Sequence, residues 1–297
     1  MTTWIIFSLI QSFTLASLYF VDKIVVTKFV KNPLQPLVIT GFFGLIPALV
    51  IYALGLVNYL PLLTGFYCLL LGILTVFLFV FYFKSMQSEE VSRFIPFASL
   101  ANVLILFLAI VLLKERLNPC QYLGVFSLIL GSILISLKFG QKLTWSKGLK
   151  YMAIYVVITA LSSIFQKYLL SSINYFTVYF YAAIGVFIGT LPIALKNYKG
   201  LMESVKAKGK KVLFAILLSE TLGVAGVFLG IIAISYGPVS LVSAFSSLKL
   251  LLVFVFSLLF STFLPKIIKE DFRMRVSIQK IIAIILIILG AFLIFSV

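Results

Sequence analysis

The chain has 297 residues, of which 63% are hydrophobic and 11% charged, with a net charge of +16 and no histidine. A soluble domain carries about 25% charged residues, so this composition excludes one. The basic excess does not mark a nucleic-acid binder: nearly all Lys and Arg fall in short links between apolar segments, where they act as topology signals.

Apolar stretches of about 20 residues, each able to cross a ~30 Å hydrocarbon layer, recur along the whole chain. Only helices or a closed barrel satisfy the backbone in lipid, and barrel strands alternate apolar with polar residues. Leu69–Phe83 and Ile281–Phe295 do not alternate, so the spans are helices. They are predicted near Thr3–Val21, Leu34–Val57, Leu60–Phe83, Arg93–Leu113 and Pro119–Leu137, then Leu149–Leu170, Tyr175–Leu195, Val212–Tyr236, Val239–Leu264 and Ile278–Phe295. No positive charge precedes the first span, while Lys23, Lys28 and Lys31 follow it. It is therefore expected to remain as a helix, not to leave as a signal peptide. Links are short; the longest are Lys196–Lys211 and Pro265–Ser277.

A repeat is visible in the spacing. Ala16, Lys23 and Gly41 match Ala160, Lys167 and Gly185 at a constant 144 residues, and Gly72, Val91, Ser92 and Phe94 match Gly223, Val242, Ser243 and Phe245 at a constant 151. Gly131 then pairs with Gly290. Five helices per unit is an odd number, so two tandem units (1–140 and 141–297) lie upside down relative to each other. Inverted repeats are a hallmark of secondary transporters, with the substrate site near the midplane between the halves. Of the 24 Lys and Arg, only Lys114, Arg116 and Lys167 fall on the side of the even-numbered links and the termini. The basic side is cytoplasmic by the positive-inside rule, which places both termini outside.

The segment Leu113–Ile135 contains Glu115, Arg116, Leu117, Gln121, Gly124 and Gly131. This pattern resembles the end of an EamA repeat, and with five-plus-five helices the chain is similar to members of the drug/metabolite transporter superfamily. The second half departs from the pattern: Lys266 stands near where the glutamate would be, followed by an insertion. The resemblance implies transport of a small metabolite. Better-described members place both termini in the cytoplasm; the loop charges here argue the reverse.

An ionisable group inside a bilayer costs about 2.5–3.5 kcal/mol on insertion scales and is a functional candidate by default. Glu220 and Lys249 are two such groups, at depths about 6 Å apart by helix rise. They either neutralise each other as a buried pair or line a central cavity, Glu220 exchanging a proton or cation and Lys249 binding an anionic group. The segment from Gly237 to Lys249 also resembles the phosphate-binding helix of sugar-phosphate transporters, with Leu250 in place of that helix's arginine. Gln11, Asn102 and Gln166 are polar residues within spans that either bridge helices or touch substrate. Tyr19 and Tyr179, with Phe20 and Tyr181, are candidates for a cavity wall. Asp22-Lys23 and Gln166-Lys167 occupy matching positions near helix ends, where the lysines are expected to snorkel. Glu89, Glu90 and Arg93 read as solvated interfacial charge. Pro47, Pro96 and Pro192 permit bends. Only Trp4 and Trp145 are present, which argues against a tryptophan cage.

With no histidine and only eight acidic residues, spread out, no catalytic or metal-ligating constellation is expected, nor a cofactor. Cys68 and Cys120 read as small apolar residues. The sequence therefore predicts an all-α integral membrane protein of ten transmembrane helices in two inverted five-helix repeats. It is expected to be a secondary transporter moving a small polar metabolite outward by alternating access, coupled to a proton or cation, in a prokaryotic plasma membrane. Its partners are the lipid bilayer and its substrate, with no nucleic acid, and it is a monomer or homodimer. The alternative is an exchanger or flippase for a phosphate-bearing or lipid-linked substrate.

Overall fold

The computed structural model describes residues 3–88, 91–136, 146–261 and 274–295. Among them the regular elements are helices: α1 (Thr3–Ile24), α2 (Leu37–Ala53), α3 (Leu62–Ser88), α4 (Val91–Leu112), α5 (Pro119–Ser136), α6 (Lys147–Leu170), α7 (Tyr175–Lys208), α8 (Lys210–Tyr236), α9 (Val239–Phe245), α10 (Leu248–Ser261) and α11 (Met274–Phe295). Each predicted span has a helical counterpart, α9 and α10 sharing the ninth. Glu89, Glu90, Trp145 and Lys266 lie outside the described residues, as does the side chain of Arg93.

Local chemistry sets several helix starts. Ser146 and Asn174 accept the Leu149 and Thr177 amides with their side chains, at 3.1 and 2.8 Å, taking up donors that have no partner in the first turn. At α5, Asn118 Oδ1 accepts the Gln121 amide (2.8 Å) and Gln121 Oε1 accepts the Asn118 amide (3.1 Å). With Pro119 between them this is a reciprocal capping box, so Gln121 of the sequence motif has a structural task.

Two expectations need correction. The basic segment Lys196–Lys211 is not a link. α7 continues through it to Lys208, and Gly209, with φ +77°, joins α7 to α8 directly. Its Lys, Leu, Met and Ala residues favour a helix, and its inner face finds partners. Asn32 Nδ2 donates to Asn197 Oδ1 (2.9 Å), and Ser204 Oγ donates to Gln35 Oε1 (3.1 Å). The ninth span is not continuous either. It breaks at Ser246-Ser247, where Ser246 Oγ donates to the Ser243 carbonyl (2.9 Å), an alternative to the regular ladder that serine side chains supply.

Among the described residues, five helical segments are long and apolar enough to cross a membrane: Thr3–Phe29, which includes a π turn after α1, and α3, α6, α7 and α8. The remaining helices are shorter and apolar. Large apolar residues face outward on every helix but α9, Leu62 at 93% exposure and Phe214 at 71%; a soluble monomer does not leave such surface uncovered. The chain is a multi-pass membrane protein.

Helices pack through small residues. A Cβ on Gly72 would strike the Ala182 carbonyl and Gly185, bringing α3 against α7. A Cβ on Gly124 would strike Gly290, and one on Gly131 would strike Ala283 and Ile287, bringing α5 against α11. Close backbone approach of this kind supplies the dispersion energy that holds helices together in lipid. α2 packs on α7, α1 on α8, α3 on α6, α4 on α6, and α1 on α9 and α10.

Candidate functional site

α1 buries one stripe of side chains: Trp4, Ser8, Ser12, Ala16, Tyr19 and Asp22. Spacings of three and four residues keep them on one helix face. The stripe meets α8, α9 and α10, while Ile6, Leu9, Ile10 and Phe13 on the other faces are exposed. It ends in a carboxyl group that is 2% exposed. Asp22 Oδ2 accepts the Tyr82 hydroxyl of α3 at 2.8 Å, and Oδ1 accepts the Ser219 hydroxyl of α8. The next residue, Glu220, is 6% exposed, and its Oε1 accepts the Thr40 hydroxyl of α2 at 2.6 Å. Two carboxyl groups from α1 and α8 are thus buried as neighbours, each held by neutral hydroxyl donors.

Aromatic rings continue the site toward α10. Tyr19 stacks on Tyr82, centroids 6.0 Å apart, and Tyr82 lies 5.9 Å from Tyr155 of α6. Lys249 Nζ sits over the Tyr19 ring, 5.8 Å from its centroid, a cation–π arrangement. Lys249 is one residue into α10, just past the helix break. At that break Asn102 Nδ2 of α4 donates to Ser247 Oγ at 2.6 Å. Six helices therefore converge on a polar centre, α1, α3, α4, α6, α8 and α10, with Thr40 entering from α2.

Glu220, Lys249, Asn102 and Tyr19 belong to this centre. Glu220 and Lys249 are not joined as an ion pair among the described residues: the first bonds Thr40, the second faces Tyr19. Gln11 lies apart, packed on Gly230 in the α1–α8 contact, with its Oε1 buried and unpartnered among the described residues. Tyr179 belongs to a separate cluster of α2, α7 and α8: its hydroxyl donates to the Gly44 carbonyl (3.2 Å) and its ring meets Phe228 edge-on. Gln166 is partly exposed near the end of α6. Sequence reasoning noted Asp22 only as the neighbour of Lys23 near a helix end and passed over Tyr82, Tyr155 and Ser219. The α1 stripe was the available signal for Asp22.

The lysines beside these positions bind carbonyls at helix ends. Lys23 Nζ donates to the Met86 carbonyl at the end of α3 (2.8 Å). Lys167 Nζ donates to the Ile234 and Gly237 carbonyls at the end of α8 (2.8 and 2.7 Å). Both satisfy carbonyls that the last helical turn leaves open, where a cation also meets the negative end of the helix dipole.

Beside Lys167, Glu115 in the α4–α5 link reaches the start of α9. Its Oε1 accepts the Val239 amide (2.8 Å), and its Oε2 accepts the Ser240 amide (3.3 Å) and hydroxyl (2.5 Å). The glutamate of the sequence motif thus caps a helix in the other half of the chain.

A solved crystal structure of a protein shares the fold with a TM-score of 0.69 at 19% identity, over 98% of this chain and 95% of that one. Among curated proteins none matches the sequence. Residues 2–137 match the profile of the EamA-like transporter family, whose membership implies membrane transport. Just under half of the chain, its N-terminal part, is thus similar to the EamA-like transporter family.

Proposed function

We propose that the protein is a secondary transporter that moves a small polar metabolite outward by alternating access, with a proton or cation exchanging at Asp22 and Glu220. The observation that carries this reading is the polar centre itself. Acidic and tyrosyl groups from both halves are buried together, with the half-buried Lys249 against one of the rings, in a chain that is 63% hydrophobic. At about 2.5–3.5 kcal/mol per intramembrane charge, such a cluster is costly for a protein that only needs to fold. Asp22 and Glu220 accept only from neutral hydroxyls among the described residues, which leaves a role for a mobile positive charge.

Packing supports an inverted repeat in which α1–α5 correspond to α6–α11. Several pairings have their reciprocal: α1 on α8 with α3 on α6, and α1 on α9 and α10 with α4 on α6, while α2–α7 and α5–α11 pair across the relation. The two lysine caps obey it too. Lys23 and Lys167 stand 144 residues apart, and the carbonyls of Met86 and Gly237 stand 151 apart, the two spacings of the sequence repeat. A site enclosed by two such halves suits rocking about a central substrate.

Lys249 favours a second reading, a phosphate-bearing or lipid-linked substrate. Its ammonium has an aromatic face but no acidic partner among the described residues. Gradient-driven uptake into proteoliposomes, over a panel of amino acids, amines, sugars and phosphate esters, tests both readings. The leading reading expects uptake of at least one neutral or zwitterionic compound; the second expects phosphate-ester uptake that Lys249→Ala abolishes and Lys249→Arg partly keeps. No gradient-dependent flux across the panel from folded protein overturns both.

A further inference from the structure

We infer that Glu115 and Asn102 are positioning residues: together they clamp the short helix α9 at both ends from the other half of the chain, and α9 in turn sets where α10 presents Lys249. The inference rests on the transport reading above. α9 has seven residues, all buried, too few for a helix to hold itself. Its start is fixed by the Glu115 carboxylate through three hydrogen bonds. Its far end, the Ser246-Ser247 break, is fixed by the Asn102 amide. Asn102 lies on α4 and Glu115 in the link that follows it, so one continuous stretch of the first half holds both ends.

The geometry behind Glu115 is specific. Lys114 has φ +53°, the left-handed region that side chains other than glycine rarely adopt. The Glu115 amide then closes back on the Ala109 carbonyl at 3.1 Å. This turn directs the carboxylate at Val239, and such strain persists where the surroundings demand it. On the far side of the α8–α9 turn, Lys167 binds Gly237 and is electrostatically attracted to Glu115; Trp4 packs against Gly237 and, edge-on at 5.6 Å, against Phe245. The clamp therefore closes this end of the bundle over the polar centre. Releasing Glu115 from Val239 and Ser240 frees α9 to move, opening the centre on this side.

Thiol accessibility tests this without a substrate. In lipid nanodiscs, with Cys68 and Cys120 replaced by Ala and Ser, a Ser243→Cys thiol on α9 is buried and labels slowly with a membrane-impermeant maleimide. Adding Glu115→Ala is expected to raise the labelling rate roughly tenfold, the weight of one charge-assisted hydrogen bond. Glu115→Gln, which keeps one acceptor for the α9 amides, falls between. In uptake assays the same variants change maximal rate more than KM, because the moving helix is affected more than the substrate contacts. Equal labelling in Glu115→Ala and its parent, both eluting as folded protein, overturns the clamp whatever uptake shows. Raised labelling without uptake in any variant or the wild type overturns the transport reading alone. If Glu115→Ala does not fold, Ser240→Ala and Asn102→Ala are read by the same criterion, and unchanged labelling in both overturns the clamp.

Discussion

Asp22 is the residue on which a coupling role turns. Its two oxygens accept from Tyr82 and Ser219, and Glu220 lies beside Ser219 on α8. Asparagine at this position keeps the size and one acceptor but cannot take up and release a proton or cation. Asp22→Asn is therefore expected to abolish uptake driven by an ion gradient while leaving substrate exchange across the bilayer, which needs no net coupling. Glu220→Gln is expected to show the same split if the two carboxyls work as one unit. Paired counterflow and gradient-driven assays read it; loss of both activities in folded Asp22→Asn protein would assign Asp22 to substrate binding. Why this residue was hard to find is physical. A carboxylate next to a lysine at the end of an apolar run has the composition of an interface. Only the stripe Ser8, Ser12, Ala16, Tyr19 says which face of α1 looks inward, and Asp22 falls on it. Glu220 and Lys249 stood out more easily, because long apolar sequence flanks them on both sides.

At the level of helices, apolar length alone located each span, because in lipid nothing else satisfies the backbone. What it could not register is the helix that outlasts the bilayer. α7 has 34 residues, roughly 50 Å of helix, and its basic portion has the charge of a link but the contacts of a packed element. Nor does hydropathy register the break between α9 and α10, where Ser246 bonds back to Ser243 and Ser247 accepts from Asn102 of α4. The lysine caps belong to this scale as well, since each ties the first helix of a half to the end of the third. Methionine at position 23 or 167 keeps the apolar stem and removes the donor. Lys167→Met is expected to cost about 1–2 kcal/mol, as a partly exposed charged hydrogen bond. Lys23→Met is expected to cost a comparable amount, read as a lower thermal midpoint in lipid. A loss from Lys167→Met with none from Lys23→Met would show that the two caps are not equivalent devices.

The whole molecule sorts its charge between two ends, and this makes its orientation testable. At one end, Lys208 Nζ donates to the Lys28 carbonyl, and Gln87 Nε2 donates to the Val26 and Lys31 carbonyls at 3.3 and 3.2 Å. The α1–α2 link, the end of α3 and the α7–α8 junction therefore meet where Lys28, Lys31, Lys84, Lys206, Lys208, Lys210 and Lys211 cluster. The other end gathers Trp4, Glu115, Lys167 and the α8–α9 turn. Each lysine left on the cytoplasmic side avoids transfer across the membrane during insertion, so the expected orientation has the basic end in the cytoplasm and the N-terminus outside. Two single cysteines on a background without Cys68 and Cys120 decide it. Leu56→Cys lies in the charge-free α2–α3 link, and Met202→Cys lies in the basic part of α7; both positions are exposed. In intact cells an impermeant maleimide is expected to label the first, and to label the second only after permeabilisation. The reverse pattern would put the Glu115 clamp on the cytoplasmic side. A substrate leaving the cell would then meet that clamp first, at entry into the site, instead of last, at release.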